Sequence, residues 1–458
     1  MHMTRISTYG LLAAAMLAAG CSTMDDDGRQ ADCDGQTGEP KALSFGAYLN
    51  RGTTRAGTAG ELTGTVLQTG GFGVVAFYTQ DMLFGQLAEP NFMYNQWVHS
   101  TDGGSSWTYE PVKYWPNETA TDKLTFFAYA PYIDVNTLTG HATDGLSEGI
   151  AALTRPTHSG DPMVSYYGTL TPSECVDLCW AQPRKDQQKP TDDSKVTLDF
   201  HHALSALNVQ VDAPSAMDAA TTRIYVRSVT FTGLALKGVL NLNSASATDP
   251  QWYDITGSGD PGLQPVTVHD GRKDGREGIA ASGNETPAGL NSDIVQSTTW
   301  NDGSTTPGVT TTARNLFDDS DSKTAPVYVI PTGEPLRVTI VYDVETKDAQ
   351  LTGNWLSDGT THGSSVENRI SATVTDGSGG AVVLTAGRRY TVSLHLGVKS
   401  VEIDTTIGAW EDGGTGDADL PDTGDDADPP EGTTVGATNS VNGWTGGGTE
   451  NANIGFDE

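Results

Sequence analysis

Cysteine is scarce: four residues in a chain of 458 are too few for a disulfide framework. Basic charge is scarce too. Lys and Arg total 26 against 58 Asp and Glu, a net charge of −32, and phosphate binding needs a basic face, so nucleic acid is excluded as a partner. Past a short leader, no run is apolar and long enough to cross a bilayer as a helix. The nine histidines include no HExxH spacing, and the Asp-rich tail lacks the EF-hand order with its closing Glu, so no metal site is expected. Gly257–Gly262 fits GxGxxG as text, but Pro261 and the lack of a following helical pattern remove the phosphate-facing helix N-terminus. Gly145–Gly149 fits GxSxG in a polar loop rather than a strand-to-helix elbow. Neither motif carries catalysis, and no cofactor is expected.

What the chain has in plenty is turns and rings. Gly 54 and Pro 22 with 36% apolar residues point to many short strands, and the length allows two ordinary domains plus tails. Trp107–Tyr132 concentrates eight aromatic residues in a chain that is 8% aromatic overall. Its halves, Trp107–Trp115 and Leu124–Tyr132, are expected to be adjacent strands joined through Pro116 and Asn117. In the second half both parity sets are apolar, which predicts a strand buried on both faces.

Along the chain, Asp25–Lys41 is a polar tether, Ala42–Leu49 a strand, and Arg51–Gly57 an Arg-bearing, Gly-rich loop open to a protease. Val66–Gln68 and Phe72–Thr79 continue the strand series, and Met82–Gln96 has room for one helical turn. Gln182–Ser194, charged and proline-bearing, is the expected domain boundary. Beyond it alternation is cleaner. Val196, Leu198 and Phe200, then Leu207, Val209 and Val211, then Leu336–Val344 and Tyr390–Leu396, all repeat with period two, which implies antiparallel sheets with one wet face. Ser244–Lys323 is expected to be a large polar loop. Two tandem β-sandwiches over 42–190 and 195–410 fit best, followed by an acidic tail at 411–458 with twelve Asp and Glu and no Lys or Arg.

If Cys175–Cys179 is a strand, both thiols face one side about 13 Å apart, beyond disulfide reach, and zinc lacks nearby partner ligands. His201 and His202, as strand neighbours, face opposite sides and cannot easily share a metal.

Residues 1–20 read as a secretory signal, with Arg5, the apolar run Leu11–Ala19 and small residues at its end. The sequence LAAGCS resembles the lipobox of bacterial lipoproteins, with Ala18 where Leu is commonest. That resemblance implies cleavage before Cys21, acylation of its thiol and stable membrane anchoring of residues 21 onward. Asp25–Asp27 resemble the acidic surface-export signals of Bacteroidetes lipoproteins.

Eight segments in order resemble the fimbrillin family of Bacteroidetes, the subunits of type V pili. They are FGVVAFYT (72–79), MYNQWV (93–98), WTYEPVKYWP (107–116), LTFFAYAPY (124–132), DLCWA (177–181), LDFHHALSALNVQV (198–211), LTAGRRYTVSLHL (384–396) and IGAW (407–410). The resemblance implies an all-β chain of two transthyretin-like antiparallel sandwiches, without enzymatic activity, carried to the outer membrane as a lipoprotein. It further implies that an Arg-specific protease removes the lipidated segment with the first strand, and that a strand from another pilin subunit fills the groove. Here the removable strand is Ala42, Leu43, Phe45, Ala47 and Leu49, with Arg55 the first choice for the cut and Arg51 the second. Strand exchange has a physical basis, because an unpaired sheet edge above an open core is a template for strand addition. Val401–Trp410 alternates and suits either donation or closure of its own sandwich.

Three function classes follow. A pilus subunit, with a host protein or glycan as a further ligand, should polymerise after Arg-specific cleavage. A glycan-binding surface lipoprotein that never polymerises should expose aromatic platforms. A polysaccharide hydrolase would need paired carboxylates in a cleft.

Overall fold

The computed structural model describes residues 40–49, 62–134 without 86 and 117–120, 149–212, 221–253 without 247–248, 265–270, 314–317, 326–376 without 357–360, 378–396, 401–409 and 439–440. The chain is all-β, as expected. A seven-stranded sheet (sheet I) runs Phe45–Leu49, Val196–His202, Cys179–Ala181, Lys123–Ala130, Phe72–Gln80 and Met93–Val98 in spatial order, with Arg184–Gln187 also paired to Lys123–Ala130. A second seven-stranded sheet (sheet II) centres on Ser205–Asp212, flanked by Val327–Pro331 and Arg388–Leu396. Val401–Ala409 pairs antiparallel with Arg388–Leu396 over its whole length, so here it closes its own sheet. Two four-stranded sheets complete the described fold. One holds Val266–Asp270, Thr222–Thr232, Arg337–Lys347 and Gly363–Thr373; the other holds Gln251–Tyr253, Lys237–Asn241, Met163–Tyr167 and Gly149–Leu153.

The alternation of the sequence is realised as burial. Val196, Leu198 and Phe200 are buried while Thr197 and Asp199 are not, and Tyr390, Val392, Leu394 and Leu396 repeat the pattern. Lys123–Ala130 is buried on both faces, as its double apolar parity requires. Leu124, Phe126, Ala128 and Ala130 face one core, while Phe127 and Tyr129 face another.

Several expectations are corrected. Trp107–Trp115 is not a strand. It is an irregular segment with only the isolated bridges His99–Thr108 and Ala42–Tyr114, yet it sends Trp107, Tyr109 and Trp115 into the core of sheet I. Pro111 lacks a donor and cannot sustain a ladder, so the rings pack from a loop. Val66–Gln68 lies in the helix Gly64–Gly70, whose N-cap Thr63 accepts a hydrogen bond from the Val66 N–H. The turn expected within Met82–Gln96 is no helix, and Met93–Val98 is a strand. The segment at Gln182–Ser194 does not separate sheets: Arg184–Gln187 and Val196–His202 both belong to sheet I, and the passage to sheet II falls at Ala203 and Leu204. Strands from both halves also share a sheet, since Met163–Tyr167 pairs with Lys237–Asn241. Among the described strands two pairings are parallel rather than antiparallel, Phe45–Leu49 with Val196–Phe200 and Ala206–Asp212 with Arg389–His395. Within Ser244–Lys323, Gln251–Tyr253, Val266–Asp270 and Arg314–Asn315 are short strands, and most of the rest, including the GxGxxG text, lies outside the described residues.

Candidate functional site at the first strand

Phe45–Leu49 lies at one edge of sheet I and, among the described residues, pairs only with Val196–Phe200, in register from Phe45 with Val196 to Leu49 with Phe200. A strand places alternate side chains on one face. Leu43 (3% exposed), Phe45 (1%) and Leu49 (7%) are buried, with Ala47 packed beside them, whereas Tyr48 is half exposed. The Phe45 ring meets three others edge-on: Tyr109 at 5.4 Å, Phe126 at 5.9 Å and Phe72 at 6.3 Å between centroids. These geometries suit the aromatic quadrupole.

The segment before the strand is held by the aromatic loop. The Leu43 N–H donates to the Lys113 carbonyl at 2.9 Å, and the Tyr109 hydroxyl donates to the Leu43 carbonyl at 2.8 Å. Burial raises the Tyr109 pKa, keeping the hydroxyl protonated as a donor. The Val196 N–H donates to the Ser44 carbonyl at 2.9 Å. Burying Leu43, Phe45 and Leu49 contributes roughly 5–9 kcal/mol at 1.5–3 kcal/mol per side chain, on the scale of the whole net stability of a domain. The strand is therefore a structural member whose loss would need replacement. Sequence reasoning identified its residues but missed Tyr109 and the Lys113 carbonyl as its clamps. Cys21, Arg51 and Arg55 lie outside the described residues.

A cleft of about 610 Å³ is lined by Leu43, Gln96, Trp97, His99, Trp107 and Glu110, among others. Trp97 is 41% exposed, stacks on His99 at 3.9 Å and 14°, and lies 5.6 Å from the Tyr132 ring.

One buried polar cluster lies in the same sheet. Cys175 and Cys179 are not bonded to each other, as expected, but the reason differs, because Cys175 follows a 3-10 turn and only Cys179 begins a strand. Cys179 pairs across the sheet with His202, and Trp180 with His201. The two histidines do face opposite ways: His201 lies 5.8 Å from the Trp180 ring, while His202 Nδ1 lies 2.8 Å from Asp177 Oδ2 and 3.4 Å from Cys179 Sγ. Partner ligands that the spacing concealed are thus supplied by the fold.

Residues 54–410 match a family model described as fimbrillin-like. The chain is 30% identical over 125 residues to the fimbrium subunit Fim1C of Phocaeicola vulgatus, a match covering 27% of this chain and 30% of that one. A crystal structure of a fimbrial protein from Bacteroides vulgatus is similar at a TM-score of 0.50 and 20% identity, over 81% of this chain and 99% of that one, a likeness of fold.

Proposed function

The chain belongs to the fimbrillin-like family, and from that premise we propose that it is a structural and adhesive subunit of a cell-surface pilus, made as a lipoprotein and assembled by strand exchange. Acylation at Cys21 tethers the precursor to the outer membrane. An Arg-specific protease cuts after Arg55, with Arg51 the second choice, and Phe45–Leu49 leaves with the N-terminal piece. Another pilin subunit then supplies the replacing strand. The two-sandwich organisation belongs to this reading.

The observation that carries the reading is the seating of Phe45–Leu49. It is an edge strand, its buried side chains fill the core, and the Arg-bearing segment follows it directly in sequence. Departure would open a sheet edge and a row of apolar pockets together, the combination that strand addition uses. The fimbrillin-like match beginning at residue 54, past the strand, is consistent with this. To test it, purified precursor is incubated with an Arg-specific protease. SDS-resistant oligomers and a new N-terminus at Ala56 are expected; monomers only, or shed protein that still starts at Cys21, would overturn it.

The exposed Trp97 beside its cleft supports a second reading, a glycan-binding surface lipoprotein that does not polymerise. Glycan affinity without laddering after cleavage would favour it.

A further inference from the structure

We propose that Asp177, Cys179 and His202 form a zinc site inside sheet I, independent of the strand-exchange reading. All three are buried, at 1%, 0% and 3% exposure, and one ligand atom from each lies within 4.8 Å of the others. The fold converges them by simple means. Cys179 and His202 are direct cross-strand partners, which brings their side chains together on one face. Asp177 lies two residues before Cys179 and reaches the same point.

The distances fit a metal. Zinc held at about 2.0–2.3 Å by N, O and S ligands in tetrahedral geometry separates those atoms by roughly 3.3–3.5 Å. The observed separations are 2.8 Å for Asp177 Oδ2 to His202 Nδ1, 3.4 Å for Cys179 Sγ to His202 Nδ1 and 3.9 Å for Cys179 Sγ to Asp177 Oδ1. The two separations from His202 Nδ1 lie within about 0.5 Å of the tetrahedral value, and Cys179 Sγ approaches the carboxylate through its other oxygen, with one ligand atom from each residue within 4.8 Å of the others. A thiolate, an imidazole and a carboxylate are a zinc donor set, whereas calcium and magnesium take oxygen ligands.

A catalytic reading of the same residues fails on geometry. A Cys–His–Asp relay uses the two ring nitrogens separately, one for the acid and one for the thiol. Here the carboxylate and the thiol both address Nδ1, in a buried position without access for a substrate. Convergence on one nitrogen is the arrangement a shared ion requires.

On binding, Cys179 gives up its thiol proton, and the proton between His202 Nδ1 and Asp177 Oδ2 must leave Nδ1, to Nε2 or to solvent, so that Nδ1 can supply a lone pair. Zinc affinity should therefore fall in acid, and loading should release protons to the buffer. Asp177 Oδ2 also accepts the Leu62 N–H at 3.0 Å, so the ion would tie the segment entering the helix Gly64–Gly70 to two strands of sheet I, Cys179–Ala181 and Val196–His202.

The test uses the full chain, stripped with a chelator and titrated with Co2+ and then Zn2+. One equivalent of cobalt should bind with thiolate-to-cobalt charge-transfer absorption and tetrahedral visible bands, and zinc should displace it. Cys179→Ser should abolish the charge-transfer band, Cys175→Ser should keep it, and His202→Gln should weaken zinc binding by more than about tenfold, with circular dichroism checking each fold. Zinc protection of Cys179 from alkylation in moderate urea, where transient opening of the unaltered chain exposes the buried thiol, read by peptide mass mapping, gives the answer where a variant does not fold. A folded chain without the cobalt–thiolate band, a band that survives Cys179→Ser, or a Cys179 alkylated equally fast with and without zinc would each overturn the proposal.

Discussion

The hydroxyl of Tyr109 donates to the carbonyl of Leu43 at 2.8 Å, joining the aromatic loop to the chain just ahead of the first strand. A tyrosine buried in a core ordinarily finds such a partner. What matters is that the acceptor belongs to the segment whose removal is proposed. Tyr109→Phe should therefore cost about 0.5–1.5 kcal/mol and do so locally. Amide exchange at Leu43–Leu49 should accelerate while that of Lys123–Ala130 stays unchanged. Equal acceleration in both strands would show that the bond stabilises the sheet as a whole.

Phe45 has no comparable escape. Its ring is surrounded by Phe72, Tyr109 and Phe126, so Phe45→Ala should leave a cavity costing about 3–5 kcal/mol, measured by urea denaturation of the precursor. Protein already cleaved at Arg55 and separated from the strand should show no difference between the variant and the native sequence. A penalty that survives cleavage would place Phe45 in the mature fold.

Those residues were legible in the sequence because core-facing strands declare themselves through period two. Phe45, Ala47 and Leu49 alternate, as do Val196, Leu198 and Phe200, and Lys123–Ala130 announced its two buried faces by two apolar parities. The clamp was not legible, since ring-rich Trp107–Trp115 has the composition of a strand whether its rings pack from a ladder or a loop. Pro111 was the available warning. The helix Gly64–Gly70 could have been found from Thr63 as N-cap and the glycines at its end. The Asp177–Cys179–His202 cluster was out of reach. Alternation tells which face a residue takes, but not which strand lies beside it.

The buried pair Arg227–Asp343 gives a stability prediction with a pH sign. Arg227 Nε lies 2.6 Å from Asp343 Oδ2, with the side chains 11% and 1% exposed, and Asp343 Oδ1 has no hydrogen-bond partner among the described residues. Desolvation outweighs the guanidinium and raises the Asp343 pKa above its ordinary value. The folded state then holds this proton more tightly than the unfolded one. Its contribution is fully present below the unfolded carboxyl pKa and declines as pH rises through the folded value. Arg227→Met should cost about 3–5 kcal/mol at neutral pH and less in acid, where the lone carboxyl can protonate. Arg227→Met with Asp343→Leu should recover most of that loss, and additive penalties in the double-mutant cycle would refute the coupling.

Asp102 presents the opposite sign at the surface. Its carboxylate accepts from the Ser106 hydroxyl, the Ser106 N–H at 2.9 Å and the Ser100 hydroxyl at 2.8 Å, closing the turn between Ser100 and Ser106. Led by the Ser106 hydroxyl, these bonds lower its pKa to about 2. A depressed folded value means that the turn's stabilisation is present above the unfolded carboxyl pKa and is lost as pH falls through about 2. Carbon-detected NMR titration of Asp102 should find that midpoint. Ser106→Ala should move it up toward the ordinary carboxylate range without disturbing Trp107, which is anchored by the core of sheet I rather than by the turn. An unchanged midpoint in the variant would assign the shift to the surrounding field instead of the hydroxyl.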